Sequence, residues 1–141
     1  MPHAASPEDR RFRDDFEAFR VAPATFDHRA HIRLAYVYLT EGGTEEAASR
    51  MRGALLAFLD HHAIDVSKYH ETMTRAWVLA VRHFMELTPD STCADAFIDV
   101  NPRMLDSRIM MSHYSVEVLF SPEARARFVE PDIDGIPRHE S

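Results

Sequence analysis

Apolar residues recur along this chain at three- and four-residue intervals, and no stretch shows the every-second-residue alternation of a half-buried strand. Ala47, Met51, Ala54, Leu55 and Phe58 make one stripe over about 45–61, and Phe12, Phe16 and Phe19 another over about 7–20. Between about 27 and 40 the polar positions shrink to a strip, Arg29, Arg33 and Thr40, surrounded by Ile32, Leu34, Ala35, Val37 and Leu39. This helix is expected at the centre. Over about 68–87, Thr74, Trp77, Val78, Val81 and Phe84 share one face, while Glu71, Arg75, Arg82 and Glu86 gather on another. There Glu71–Arg75 and Arg82–Glu86 are i,i+4 pairs of opposite charge.

Start and stop signals agree with these stripes. Ser6-Pro7-Glu8-Asp9 supplies a cap, a proline at the first helical position and acids facing the helix dipole. Gly42-Gly43 ends one helix and Thr44-Glu45-Glu46 opens the next; Pro89 bounds a fourth. Thr92, with Asp95 three residues on, predicts a short helix through Val100. Asn101-Pro102 predicts another to about Ser112, and Ser115 and Ser121-Pro122-Glu123 mark two more starts. The chain therefore reads as all-α: a compact single-domain helical bundle of about seven segments over 1–141, with 1–6 and 131–141 as irregular ends.

Composition narrows the function classes. At 141 residues, 45% hydrophobic and 28% charged, the chain is an ordinary globular domain, long enough to bury roughly 68–70% of its unfolded surface. A net charge of −7 with scattered arginines argues against a nucleic-acid partner. No run approaches the ~18 apolar residues of a bilayer span, and M-P-H-A-A-S-P-E-D-R-R has no apolar leader core, so no membrane partner and a cytoplasmic location are expected. The single cysteine, Cys93, excludes an internal disulfide and reads as a small buried hydrophobe. Four glycines in no Gly-rich motif leave nothing to cradle a phosphate.

Three of the nine histidines stand where core residues belong. His28 and His31 lie away from the polar strip of their helix, and their i,i+3 spacing puts the Cβ atoms about 5–6 Å apart. His70 lies on the apolar face of its own. With short connections the second, third and fourth helices run up, down and up, which places all three histidines at one end of the bundle. Neutral imidazoles in that number suit a divalent transition metal, zinc or iron, with an open fourth position. The leading expectation is a small metal-dependent enzyme acting on a small molecule. His28, His31 and His70 would hold the ion, Glu71 or Tyr114 would transfer a proton, and Trp77 and Arg103 would contact substrate. His61 or His62 is open as a fourth ligand, and Asp27 as an orienting group. Each histidine taken alone is more often a core ring bonded to a carbonyl or hydroxyl. Two other readings stay open. One is a metal-free module for a small anion, held by two helix N-termini with Arg29 and Arg103 near. The other is a protein–protein interaction module. A homo-oligomer is equally open. His83 falls on the far side of its helix from His70, and His3 and His139 fall in the ends.

F-D-H-R-A-H at 26–31 and Y-H-E-T-M-T-R-A-W at 69–77 resemble segments of a family of small, uncharacterised bacterial helical proteins. Y-S-V-E-V-L-F-S-P-E-A-R at 114–125 and F-V-E-P-D at 128–132 are similar as well, so the resemblance spans about 26–132. It implies a shared architecture and a shared pocket around His28, His31, His70, Glu71 and Tyr114. No established activity comes with it.

Overall fold

Ser6 accepts from the Asp9 N–H while the Asp9 carboxylate accepts from the Ser6 N–H, closing a capping box over α1 (Pro7–Glu17). The computed structural model describes residues 3–139. Asp27 caps α2 (His28–Glu41) through the Ala30 N–H, and Gly43 precedes α3 (Thr44–His61). α4 (Glu71–Leu87) is followed by α5 (Ala94–Asp99), α6 (Val116–Leu119) and α7 (Pro122–Ala126), with no strand among the described residues. Ser115 and Ser121 cap the last two by the expected hydroxyl-to-N–H bonds. The chain is an all-α single domain.

Elsewhere local structure departs from the sequence reading. α1 stops at Glu17, three residues short, because Phe19 takes a left-handed φ of 64° and the Phe19 and Arg20 N–H groups fold back onto Phe16 O and Asp15 O. α4 starts at Glu71 instead of about 68; Val66–Lys68 is a separate 3-10 turn, and His70 is the cap. α5 is capped by the Cys93 thiol, which accepts from the Ala96 N–H, and not by Thr92. Cys93 is thus half-buried at a helix end, not a core filler. The single helix expected over 101–112 is instead two 3-10 turns, Pro102–Leu105 and Ser107–Ser112, because Asp106 between them turns its carboxylate onto the Arg108 N–H. Arg82–Glu86 pairs as expected at 3.4 Å, but Glu71 and Arg75 each take a partner from α3, Arg52 and Glu45.

α2, α3 and α4 pack on one another, α1 lies across α2 and α3, and α7 sits on α4. α2 is the central element: Leu34, Tyr36, Val37 and Tyr38 are wholly buried. Asp9 ties α1 to it through Arg33 and to α5 through the Ala94 N–H. Burial alone would raise the Asp9 ionisation; the Ala94 and Ser6 N–H groups and the Arg33 guanidinium outweigh it and hold the carboxylate below its usual range. α2 and α4 run parallel with α3 antiparallel between them, so two helix N-termini and one C-terminus meet at one end. No helix among the described residues is long and apolar enough to cross a membrane.

Residues 3–6 and 131–139 form no helix or strand, residues 1–2 and 140–141 of the expected irregular ends lie outside the described residues, and both described ends are anchored. His3 is buried, with Nε2 donating to Met85 O (2.8 Å) and Nδ1 accepting from the Ser91 N–H (3.0 Å). At the other end Tyr114 donates to Val129 O, Asp132 accepts from the Ser115 N–H, and Ile136 is buried.

Candidate functional site

The end of the bundle where α2 and α4 begin holds a cavity of about 320 Å³. Phe26, Leu55, Phe58, Leu59 and Met73 form its apolar walls; Asp27, His28, His31, Lys68, Tyr69, His70 and Thr74 bring the polar groups. A second cavity of about 300 Å³ lies behind it, sharing His28, His31 and Met73 and closed by Trp77, Met110, Met111, Leu119 and Phe120 among others. The two histidines of α2 and Met73 thus form a ridge between the two spaces. His28, His31 and His70, expected together at one end of the bundle, all line the first cavity.

Each ring has a different hydrogen-bonding state. His70 uses both nitrogens: Nδ1 accepts from the Met73 N–H as the helix cap, and Nε2 donates to Leu119 O at 2.6 Å. Burial lowers its ionisation, partly offset by the Leu119 carbonyl. His28 donates from Nε2 to Met104 O at 2.8 Å and stands edge-on to Trp77, ring centres 4.7 Å apart. His31 Nε2 is buried and has no partner. Burial first, and the adjacent His28 second, push its ionisation down to about 4. At neutral pH His31 is therefore an uncharged ring with an unsatisfied nitrogen.

As placed, the three rings do not present three free imidazole lone pairs to one ion. His70 has no lone pair left to give, and Nε2 of His28 is committed to a carbonyl. Among the described residues no group of three or more His, Cys, Asp or Glu is placed to hold a metal ion. His61 and His62 do not line the cavity; Phe19 stacks on the first, and the second stands edge-on to Phe58.

The expected proton-transfer groups are placed differently too. Glu71 accepts from the Tyr69 hydroxyl (2.6 Å) and from Arg52 (3.1 Å), facing α3 instead of the cavity. Tyr114 is buried away from both cavities, and burial first, then Glu130, push its phenol up to about 12, so it keeps the proton it donates to Val129 O. Trp77 does wall a cavity, the second one. Arg103 does not: it lies at another cavity, near the opposite end of α4. Arg29 pairs with Asp95 at 2.9 Å on the surface.

Lys68 was missed. It is the only lysine among 16 basic side chains, the other fifteen being arginines, and it lines the histidine cavity while making no ion pair with any described residue. Its rarity was the signal available in the sequence. No family model matches the chain, and no curated protein or solved structure matches it either.

Proposed function

We propose that this protein is a metal-free binding protein for a small, largely apolar carboxylate, taken into the cavity beside His31. The observation that carries the reading is the unpartnered Nε2 of His31. A buried polar group without a hydrogen bond costs about 1–3 kcal/mol, and a ligand that bonds it recovers that cost on binding. Apolar walls with a few convergent polar groups are the usual make-up of a small-molecule site. Charge decides the class of ligand. Lys68 brings to the cavity an ammonium that feels Asp65 but makes no ion pair with a described residue, whereas the Asp27 carboxylate already accepts from the Ala30 N–H. An acid with an aliphatic or aromatic body meets both demands. A metal-dependent reaction has less support, since His70 would have to give up its bond from the Met73 N–H to become a ligand through Nδ1, and both backbone partners to become one through Nε2.

The test is a thermal-shift series with four- to eight-carbon aliphatic and aromatic carboxylates, each beside the amine of the same skeleton. At about 100 times its dissociation constant a ligand adds about 2.7 kcal/mol of stability, several degrees of Tm for a domain of this size. At least one carboxylate raises Tm, its amine counterpart does not, and His31→Phe removes the response. Equal response to the amines, no response to any acid, or about one equivalent of transition metal in untagged protein that His31→Ala loses, overturns the reading.

A further inference from the structure

His83 lies thirteen residues along α4 from His70, about 20 Å at the helical rise. There a separate cavity of about 390 Å³ opens between α4, the Ser107–Ser112 turn and the C-terminal segment at 134–137. His83, Arg103 and His113 bring three basic side chains to it from three parts of the chain, while Phe84, Ile109 and Ile136 line its apolar side. Arg103 forms no ion pair or side-chain hydrogen bond with any described residue, although most arginines of this acidic chain have an acidic partner. The two imidazoles are each half-engaged. His113 Nδ1 donates to Asp134 O at 2.7 Å, and His83 Nδ1 meets His139 Nε2 at 2.9 Å, so in both rings Nε2 is left for another partner.

We propose that this cavity is a second ligand site, which takes an organic phosphate monoester. The guanidinium fork of Arg103 engages two phosphate oxygens, and Nε2 of His113 and of His83 meet the remaining oxygen positions. The organic body lies on Phe84 and Ile109. A phosphate fits better than a carboxylate for a reason of geometry. Nδ1 of His113 and of His83 are engaged within the fold, so each ring has only Nε2 to offer. After the arginine fork takes two oxygens, a phosphate monoester still has a third terminal oxygen to meet these nitrogens. A carboxylate has only the two oxygens that the fork already holds. The acids near the site are Asp134, which lines it, Asp106, which shares a neighbouring cavity with Arg103 and is paired with Arg108, and Glu86, which lies 3.9 Å from Nδ1 of His139; none of them pairs with Arg103.

Titration calorimetry of the full chain at pH 7 with phenyl phosphate, benzoate and inorganic phosphate tests this. Phenyl phosphate binds saturably, at least tenfold tighter than either of the others. Arg103→Gln weakens it at least tenfold without moving Tm, because that side chain is exposed and holds nothing else in the fold. His31→Phe leaves the phenyl phosphate affinity unchanged, which separates this site from the carboxylate pocket. No binding of phenyl phosphate, equal binding of benzoate, full affinity in Arg103→Gln, or loss of affinity in His31→Phe would each overturn the assignment.

Discussion

Burial and the adjacent His28 hold His31 uncharged down to about pH 4, and that makes it a cost to the fold in acid. The unfolded ring ionises near 6.5. The sign follows from linkage: a group whose folded ionisation is depressed leaves stability intact above the unfolded value and drains it as pH falls toward the folded one. Between pH 6.5 and 4 the wild-type protein therefore loses stability that a His31→Phe variant keeps, up to about 3 kcal/mol at the bottom of the window. Urea denaturation of both proteins at pH 7 and at pH 4.5 measures it; parallel losses in the two would show that His31 is not the group that titrates. His70 and His83 are lowered in the same direction, so the variant keeps a shallower slope of its own. That three histidines face inward at one end was legible from the helical wheel. Which nitrogens were spoken for was not, because the carbonyls that bond His28 and His70 come from residues 76 and 49 positions away.

At the scale of elements, the starts of α1, α2, α3, α6 and α7 and the ends of α2, α3 and α4 were written locally and could be read, while the end of α1 was set by a backbone conformation that its residue type disfavours. α1 and α3 both close with a left-handed residue, Phe19 at φ 64° and Ala63 at φ 55°. In each, the N–H of that residue and of the next bond back to carbonyls of the last turn, Phe16 and Asp15 in one case, Asp60 and Leu59 in the other. Glycine is the residue these positions favour, since a Cβ costs about 1–2 kcal/mol there. Ala63→Gly should therefore raise stability by about 1 kcal/mol, after the added freedom of the unfolded chain is subtracted. Phe19→Gly relieves the same strain but removes a ring stacked on His61 at 4.2 Å, and should be destabilising. Opposite shifts in the two thermal melts support this account; a loss in Ala63→Gly contradicts it. The segment 101–112 shows the converse failure. Its start signal, Asn101-Pro102, was real, but Asp106 caps a new turn in mid-segment and prevents an α-helix from continuing.

Taken as a whole, the molecule is a three-helix centre held at both ends by segments with no regular structure, and here sequence periodicity has nothing to say. A segment that docks through single side chains onto backbone groups leaves no repeating pattern. Thr72 shows how much one such residue holds. It is wholly buried in the first turn of α4; its hydroxyl donates to Arg127 O at 2.9 Å and accepts from the Val129 N–H at 3.0 Å. From there the chain continues through the Tyr114 and Ser115 contacts to the segment that walls the Arg103 cavity. Thr72→Val keeps the side chain's shape and removes both bonds, leaving a carbonyl and an N–H without their partner, at a cost of about 2 kcal/mol. The loss should be local in kinetics as well as global in stability. Hydrogen exchange of the Val129, Ile133 and Asp134 amides should accelerate in the variant more than that of the α2 core, because the segment opens without unfolding the bundle. Phenyl phosphate should weaken in step, since its cavity shares that wall. Carboxylate binding beside His31, at the other end of α4, should persist once the variant is folded. If exchange rises uniformly across α2 and the C-terminal segment, the ends and the bundle are one cooperative unit, and the two cavities should then respond to Thr72→Val together.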